Sequence, residues 1–97
     1  MSSVNLAEVM TRLVRDGASP SEVEEIPTAL PVTIHPFDAA LALQAGAMVA
    51  VTRKFGLSSG DRACLALAQR EGLPVMTGDR AWTDVGFLVG VTVRLIR

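Results

Sequence analysis

Three acids carry the chemistry open to this chain: Glu8, Asp61 and Asp79. The last two lie in one stretch, LSSGDRACLALAQREGLPVMTGDRAWTD, from Leu57 to Asp84. Asp61 opens an apolar helical pattern and Asp79 follows directly on an apolar run, Val75-Met76-Thr77. An acid beyond the carboxyl end of a strand, facing one at a helix start, is how an α/β protein gathers a divalent cation. In open parallel sheets ligands bind in the crevice past the strand ends. Mg²⁺ takes oxygen ligands and keeps several waters, so a few carboxylates suffice. Asp84 is a candidate fourth ligand, or an exposed helix residue.

Each acid also has an ordinary reading. Asp61 stands three residues after Ser58 and Glu8 three after Asn5, and an acid at that spacing is a helix cap. Asp79 has no comparable duty beyond capping a turn at Ala81–Val85. Arg62 and Arg80 each follow one of the acids and either ion-pair with it or meet a phosphate. Thr77 is placed to orient a carboxylate or a water. Arg53 and Lys54 read as a solvated helix end complementing the macrodipole. Trp82 packs over the loop, Cys64 belongs to the core, and His35 is a lone histidine at a strand end.

The elements that must position these residues are legible from caps and breakers. Asn5 reads as the cap of a first helix that runs to about Asp16 with Leu6, Val9, Met10 and Leu13 on one face, and Gly17 stops it. Ser19-Pro20 starts a short second helix that ends by Pro31. Pro31 to His35 is a strand closed by Pro36. Asp38 caps a long helix from about Ala39 to Lys54, with Gly56 after it. Ser58 opens another that runs to Glu71 and stops at Gly72. Pro74–Thr77 is a buried strand, a short helix spans Ala81 to Val85, and Val91–Ile96 is the last strand. Helices alternating with short apolar strands imply parallel βαβ units.

Composition excludes several classes. At 97 residues the chain is one domain at most. Hydrophobic residues reach 49% and charged ones 20%, so it is not a disordered segment. No apolar run approaches the ~20 residues of a membrane span, the acid-bearing start MSSVNLAEVM is no signal peptide, and one cysteine allows neither a disulfide framework nor zinc spacing. A cytoplasmic location is the default. The net charge of −1 is not the footprint of a general nucleic-acid binder.

SVNLAEV, GDRACLALA and GLPVMTGDRAW, in this order, resemble the PIN-domain ribonucleases, and most closely the VapC-type toxins of bacterial toxin–antitoxin pairs. The resemblance runs from Ser3 to Arg97. It implies a PIN-like three-layer α/β fold with a short parallel sheet. It also implies metal-dependent hydrolysis of RNA phosphodiester bonds, with Mg²⁺ or Mn²⁺ held by Glu8, Asp61 and Asp79, joined in some members by an acid at the position of Asp84. Its expected partners are RNA and a cognate antitoxin. The family's first-strand Asp has no counterpart, because the chain begins where that family has completed its first strand and first helices. The expectation is therefore a single, N-terminally incomplete domain over residues 1–97, with an open sheet edge at Pro74–Thr77 that favours a homodimer. Its activity depends on how the missing acid is supplied, and a catalytically silent binding module is the alternative.

Overall fold

The computed structural model describes residues 1–29 and 31–96; Leu30 and Arg97 lie outside the described residues. Helix α6 (Ser59–Glu71) is the centre of the packing, and local sequence defines it completely. The Ser58 side chain accepts from the Asp61 N–H while Asp61 returns the bond to Ser58, a reciprocal cap. At the other end Gly72 is left-handed, with φ 64°. The Leu73 N–H reaches back to the Ala68 carbonyl at 3.0 Å, the bond of a Schellman stop. Between these ends Leu65, Ala66, Leu67 and Ala68 are all buried, so the helix is covered on more than one side.

Helix α4 (Ala39–Ala47) lies against α6 and contributes Leu41, Ala45 and, at its end, Met48 to the core. Fully burying a leucine such as Leu41 or Leu65 contributes about 1.5–3 kcal/mol. The single helix expected from Ala39 to Lys54 is in fact broken. It ends at Met48, resumes as α5 (Val49–Thr52), and tightens into a 3₁₀ turn over Arg53–Phe55. Just past the break Thr52 is buried, with its hydroxyl donating to the Met48 carbonyl at 2.7 Å beside its own N–H at 3.0 Å. Such back-bonding satisfies a buried hydroxyl and bends the helix that carries it.

After α6 the chain forms strand β1 (Val75–Thr77), helix α7 (Trp82–Val89) and strand β2 (Val93–Leu95). The strands pair in parallel, with Val75 opposite Val93 and Thr77 opposite Leu95. Helix α7 runs four residues past the expected Val85 and packs on β2 through Gly86. A β-carbon there would stand 2.6 Å from the Val91 carbonyl oxygen, so only glycine allows the approach. A short parallel sheet with helices around it is the α/β class expected.

The N-terminal third departs more from expectation. Helix α1 (Ser3–Arg15) is capped by Ser2, whose side chain accepts from the Val4 N–H, and not by Asn5. It is followed by α2 (Pro20–Glu24) and α3 (Ile26–Ala29). None of its residues is buried, so the stripe of Leu6, Val9, Met10 and Leu13 is only partly covered. The strand expected over Pro31–His35 reduces to one parallel bridge, Ser2 with His35. The Met1 ammonium donates to Thr33, His35 to Met1 and Ser3 to His35, at 2.8, 2.8 and 2.9 Å. The ladder stops there because α1 begins at Ser3 on one side and Pro36 follows on the other.

Candidate functional site

Because Ser2 does the capping, Asn5 and Glu8 are free to face the rest of the molecule. The Asn5 amide donates to the Glu8 carboxylate and to the Gly60 carbonyl, each at 3.1 Å. These bonds tie α1 to the first turn of α6. Both oxygens of Glu8 lie in the space that a β-carbon on residue 60 would fill. Glu8 is thus seated at the residue preceding Asp61, although 53 positions of chain separate the two acids. Neither Asn5 nor Gly60 stood out in the sequence as part of a site. The available signal was Gly60 itself: a glycine in the first turn of a well-capped helix costs up to about 1 kcal/mol relative to alanine and calls for a reason.

Asp61 keeps its capping duty, with Oδ2 accepting from the Ser58 N–H at 3.0 Å. Asp79 is exposed beyond β1, and its Oδ1 accepts from the Ala81 N–H at 2.9 Å. Thr77 accepts from the Asp79 N–H at 3.1 Å and shapes that turn. Asp84 is exposed in the first turn of α7 and borders a separate depression with Lys54 and Phe87. Arg62 turns toward α4: its guanidinium donates to the Ala45 carbonyl at 3.3 Å and to Ser59 at 3.5 Å, while its Nε is buried without a partner. Arg80 is exposed, with no ion pair or side-chain hydrogen bond among the described residues. Trp82 is half-buried against the core, and His35 lies 3.8 Å from Glu71.

Cys64, one turn along α6 from Asp61, reports on the local field. Burial pushes its thiol above the usual range, and the charges of Asp61 and Glu8 push it further, against the opposing Met1 ammonium. Next to it opens a cavity of about 260 Å³ lined by Ser2, Asn5, Leu67, Val75 and Met76 among others. Val75 and Thr77 spend their backbone bonds on β2. By the alternation of a parallel ladder, the Met76 N–H and C=O face the opposite edge. Met76 is 68% exposed, and among the described residues no strand pairs with that edge.

Glu8 is therefore brought to the helix start that carries Asp61, while Asp79 caps the turn at Ala81 and Asp84 borders a separate depression. Among the described residues no group of three or more His, Cys, Asp and Glu side chains is close enough to hold a metal ion.

A family model for the PIN domain matches residues 1–88. No curated protein and no solved structure matches the chain. PIN domains in general are nucleases and typically use divalent metal ions. The described residues do not by themselves fit such an ion, since among them fewer than three such ligands are gathered. Its motifs lie in order along this α/β frame and the match covers nearly its whole length, so the chain belongs to the PIN-domain family.

Proposed function

We propose that the chain is an endoribonuclease domain of the toxin type, which hydrolyses RNA phosphodiester bonds in the cytoplasm with Glu8, Asp61 and Asp79 as its central acids. The observation that carries this reading is the seating of Glu8 against Gly60. A carboxylate drawn across the molecule to the residue preceding Asp61 serves no capping purpose there, and an oxygen ligand of this kind is what a divalent cation takes. Arg80 is the cation best placed to meet substrate, being exposed directly after Asp79. Asp84 has an outlying role, Arg62 supports α4, and Thr77 orients the Asp79 turn. Dependence on Mg²⁺ or Mn²⁺ comes with the family, and on this reading activity requires a further ligand beyond the acids of this chain.

The same reading has partners. The open edge of β1 supports a homodimer, and the half-covered apolar stripe of α1 supports a cognate antitoxin. The second reading, a catalytically silent PIN domain that only binds such partners, is favoured by one observation. Asp61 and Asp79 each already hold a backbone N–H.

Incubating the protein with mixed-sequence RNA and either Mg²⁺ or Mn²⁺ separates the two. Cleavage by the native chain that disappears in both Glu8→Gln and Asp61→Asn supports the enzyme. Cleavage that is absent, or equal in all three proteins, leaves the binding module.

A further inference from the structure

We propose that the face of α1 carrying Arg12 and Arg15 is a phosphate-binding track for single-stranded nucleic acid leading away from the acidic site. The direction of the track rests on the nuclease reading above; the binding itself does not. Asn5, Glu8, Arg12 and Arg15 follow one another along one side of the helix. Two shallow depressions among the side chains of α1 itself flank that side, one bordered by Asn5, Glu8 and Arg12 and the other by Glu8, Arg12 and Arg15. At 1.5 Å of rise per residue the arginines stand about 6 Å and about 10 Å beyond Glu8 along the axis. The Glu8 end of the row is pinned to α6 by Asn5, so the row has a fixed origin at the acids.

The pairing pattern makes the arginines available. A glutamate four residues before an arginine is the favourable order for an ion pair on a helix. Here Glu8 accepts from the Asn5 amide and sits against Gly60 instead. Among the described residues neither Arg12 nor Arg15 makes an ion pair or a side-chain hydrogen bond, and both are exposed. Asp16 borders one of the depressions but forms no ion pair with Arg12. Two basic residues in the last turn also complement the helix dipole. That role is met by any exposed orientation and does not call for alignment with Glu8. A net charge of −1 is not the footprint of a general polyanion binder, so the local placement of cations matters more than the total.

The test is fluorescence anisotropy of a labelled, mixed-sequence single-stranded RNA in excess chelator, so that binding is read without cleavage. It is made across salt from about 50 to 200 mM, on native protein, on Arg12→Gln/Arg15→Gln, and on Arg53→Gln/Arg94→Gln as a charge-matched control. Circular dichroism confirms that each is folded. The expected result is a loss of about tenfold or more in affinity for the Arg12/Arg15 variant only. Its slope of log K against log salt should flatten by about 1.4, since each phosphate contact on a single strand contributes about 0.7. Absence of binding by the native protein, an unchanged slope, or an equal loss in the control pair overturns the proposal. A native chain that cleaves RNA but whose binding ignores Arg12 and Arg15 sinks this inference and keeps the nuclease. One that binds through them and never cleaves, with either metal added, keeps the inference and sinks the nuclease.

Discussion

The Glu8 carboxylate fills the space that a β-carbon on Gly60 would occupy, so the placement of one candidate acid depends on the absence of a side chain on another helix. Gly60→Ala should push Glu8 aside without unfolding the protein, because the obstructing group is the far end of a flexible side chain. Alanine is also the better helix former by up to about 1 kcal/mol. The thermal midpoint is expected to hold or rise while any RNA cleavage falls. A drop in the midpoint comparable to a core truncation would mean that the seat is structural.

Cys64 gives a second readout of the same acids. With its thiol pushed up by burial, then by Asp61 and Glu8, little thiolate is present near neutral pH and alkylation by iodoacetamide should be slow. Glu8→Gln and Asp61→Asn each remove a negative charge, lower the thiol's pKa and speed labelling at fixed pH. Equal rates in native and variant proteins would place those carboxylates too far from Cys64 to act together.

Metal affinity should reflect the incomplete ligand set. Calorimetric titration is expected to find weak Mg²⁺ binding, and somewhat tighter Mn²⁺ binding, since Mn²⁺ shares the oxygen preference while Mg²⁺ dehydrates reluctantly. Low-micromolar Mg²⁺ would show that a third ligand joins Glu8 and Asp61 in solution.

The open edge of β1 predicts self-association. Sedimentation at micromolar concentration should show a dimer, and Met76→Lys, a charge placed on that edge, should shift it to monomer without loss of fold. A cooperative monomer with protected amides along Val75–Thr77 would mean that the edge is closed internally.

Asp38 sets part of the acid sensitivity. Its carboxyl is held below the usual range by the Leu41 N–H, with Arg70 at 3.2 Å adding to the effect against desolvation. A carboxylate more acidic in the folded state than in the unfolded one stabilises above its unfolded pKa, and that contribution is lost as pH falls through the folded value. Between neutral pH and the range below the ordinary carboxylate pKa, the urea midpoint of the native protein should fall further than that of Asp38→Asn. Equal falls would show that the pair with Arg70 and the cap on Leu41 do not distinguish charged from neutral Asp38.

What the sequence determined by itself is local. Ser58 with Asp61, Ser19 with Pro20 and Glu22, Asp38 before Ala39, and Gly72 after Glu71 each act within a few residues, and each is a cap or stop in the structure as read. A cap needs only its own turn of backbone, so nothing distant can overrule it cheaply. The alternation of helix and strand after Ser58 was legible for the same reason.

Tertiary structure decided the rest. Asn5 and Glu8 fit a capping pattern, but Ser2, held by the ladder to His35, takes the cap and releases both to reach Gly60 across the molecule. The break at Met48 lies next to the Ala45 carbonyl that receives the Arg62 guanidinium from α6, a contact that a periodic apolar pattern does not announce. Pro31–His35 had the composition of a strand, but a strand exists only to the extent that a partner runs beside it, and Met1–Ser3 supplies no more than a bridge. Which acids meet is likewise a contact between distant segments, fixed by how α1 packs on α6. Caps depend on neighbours in the chain, while the candidate site depends on neighbours in space.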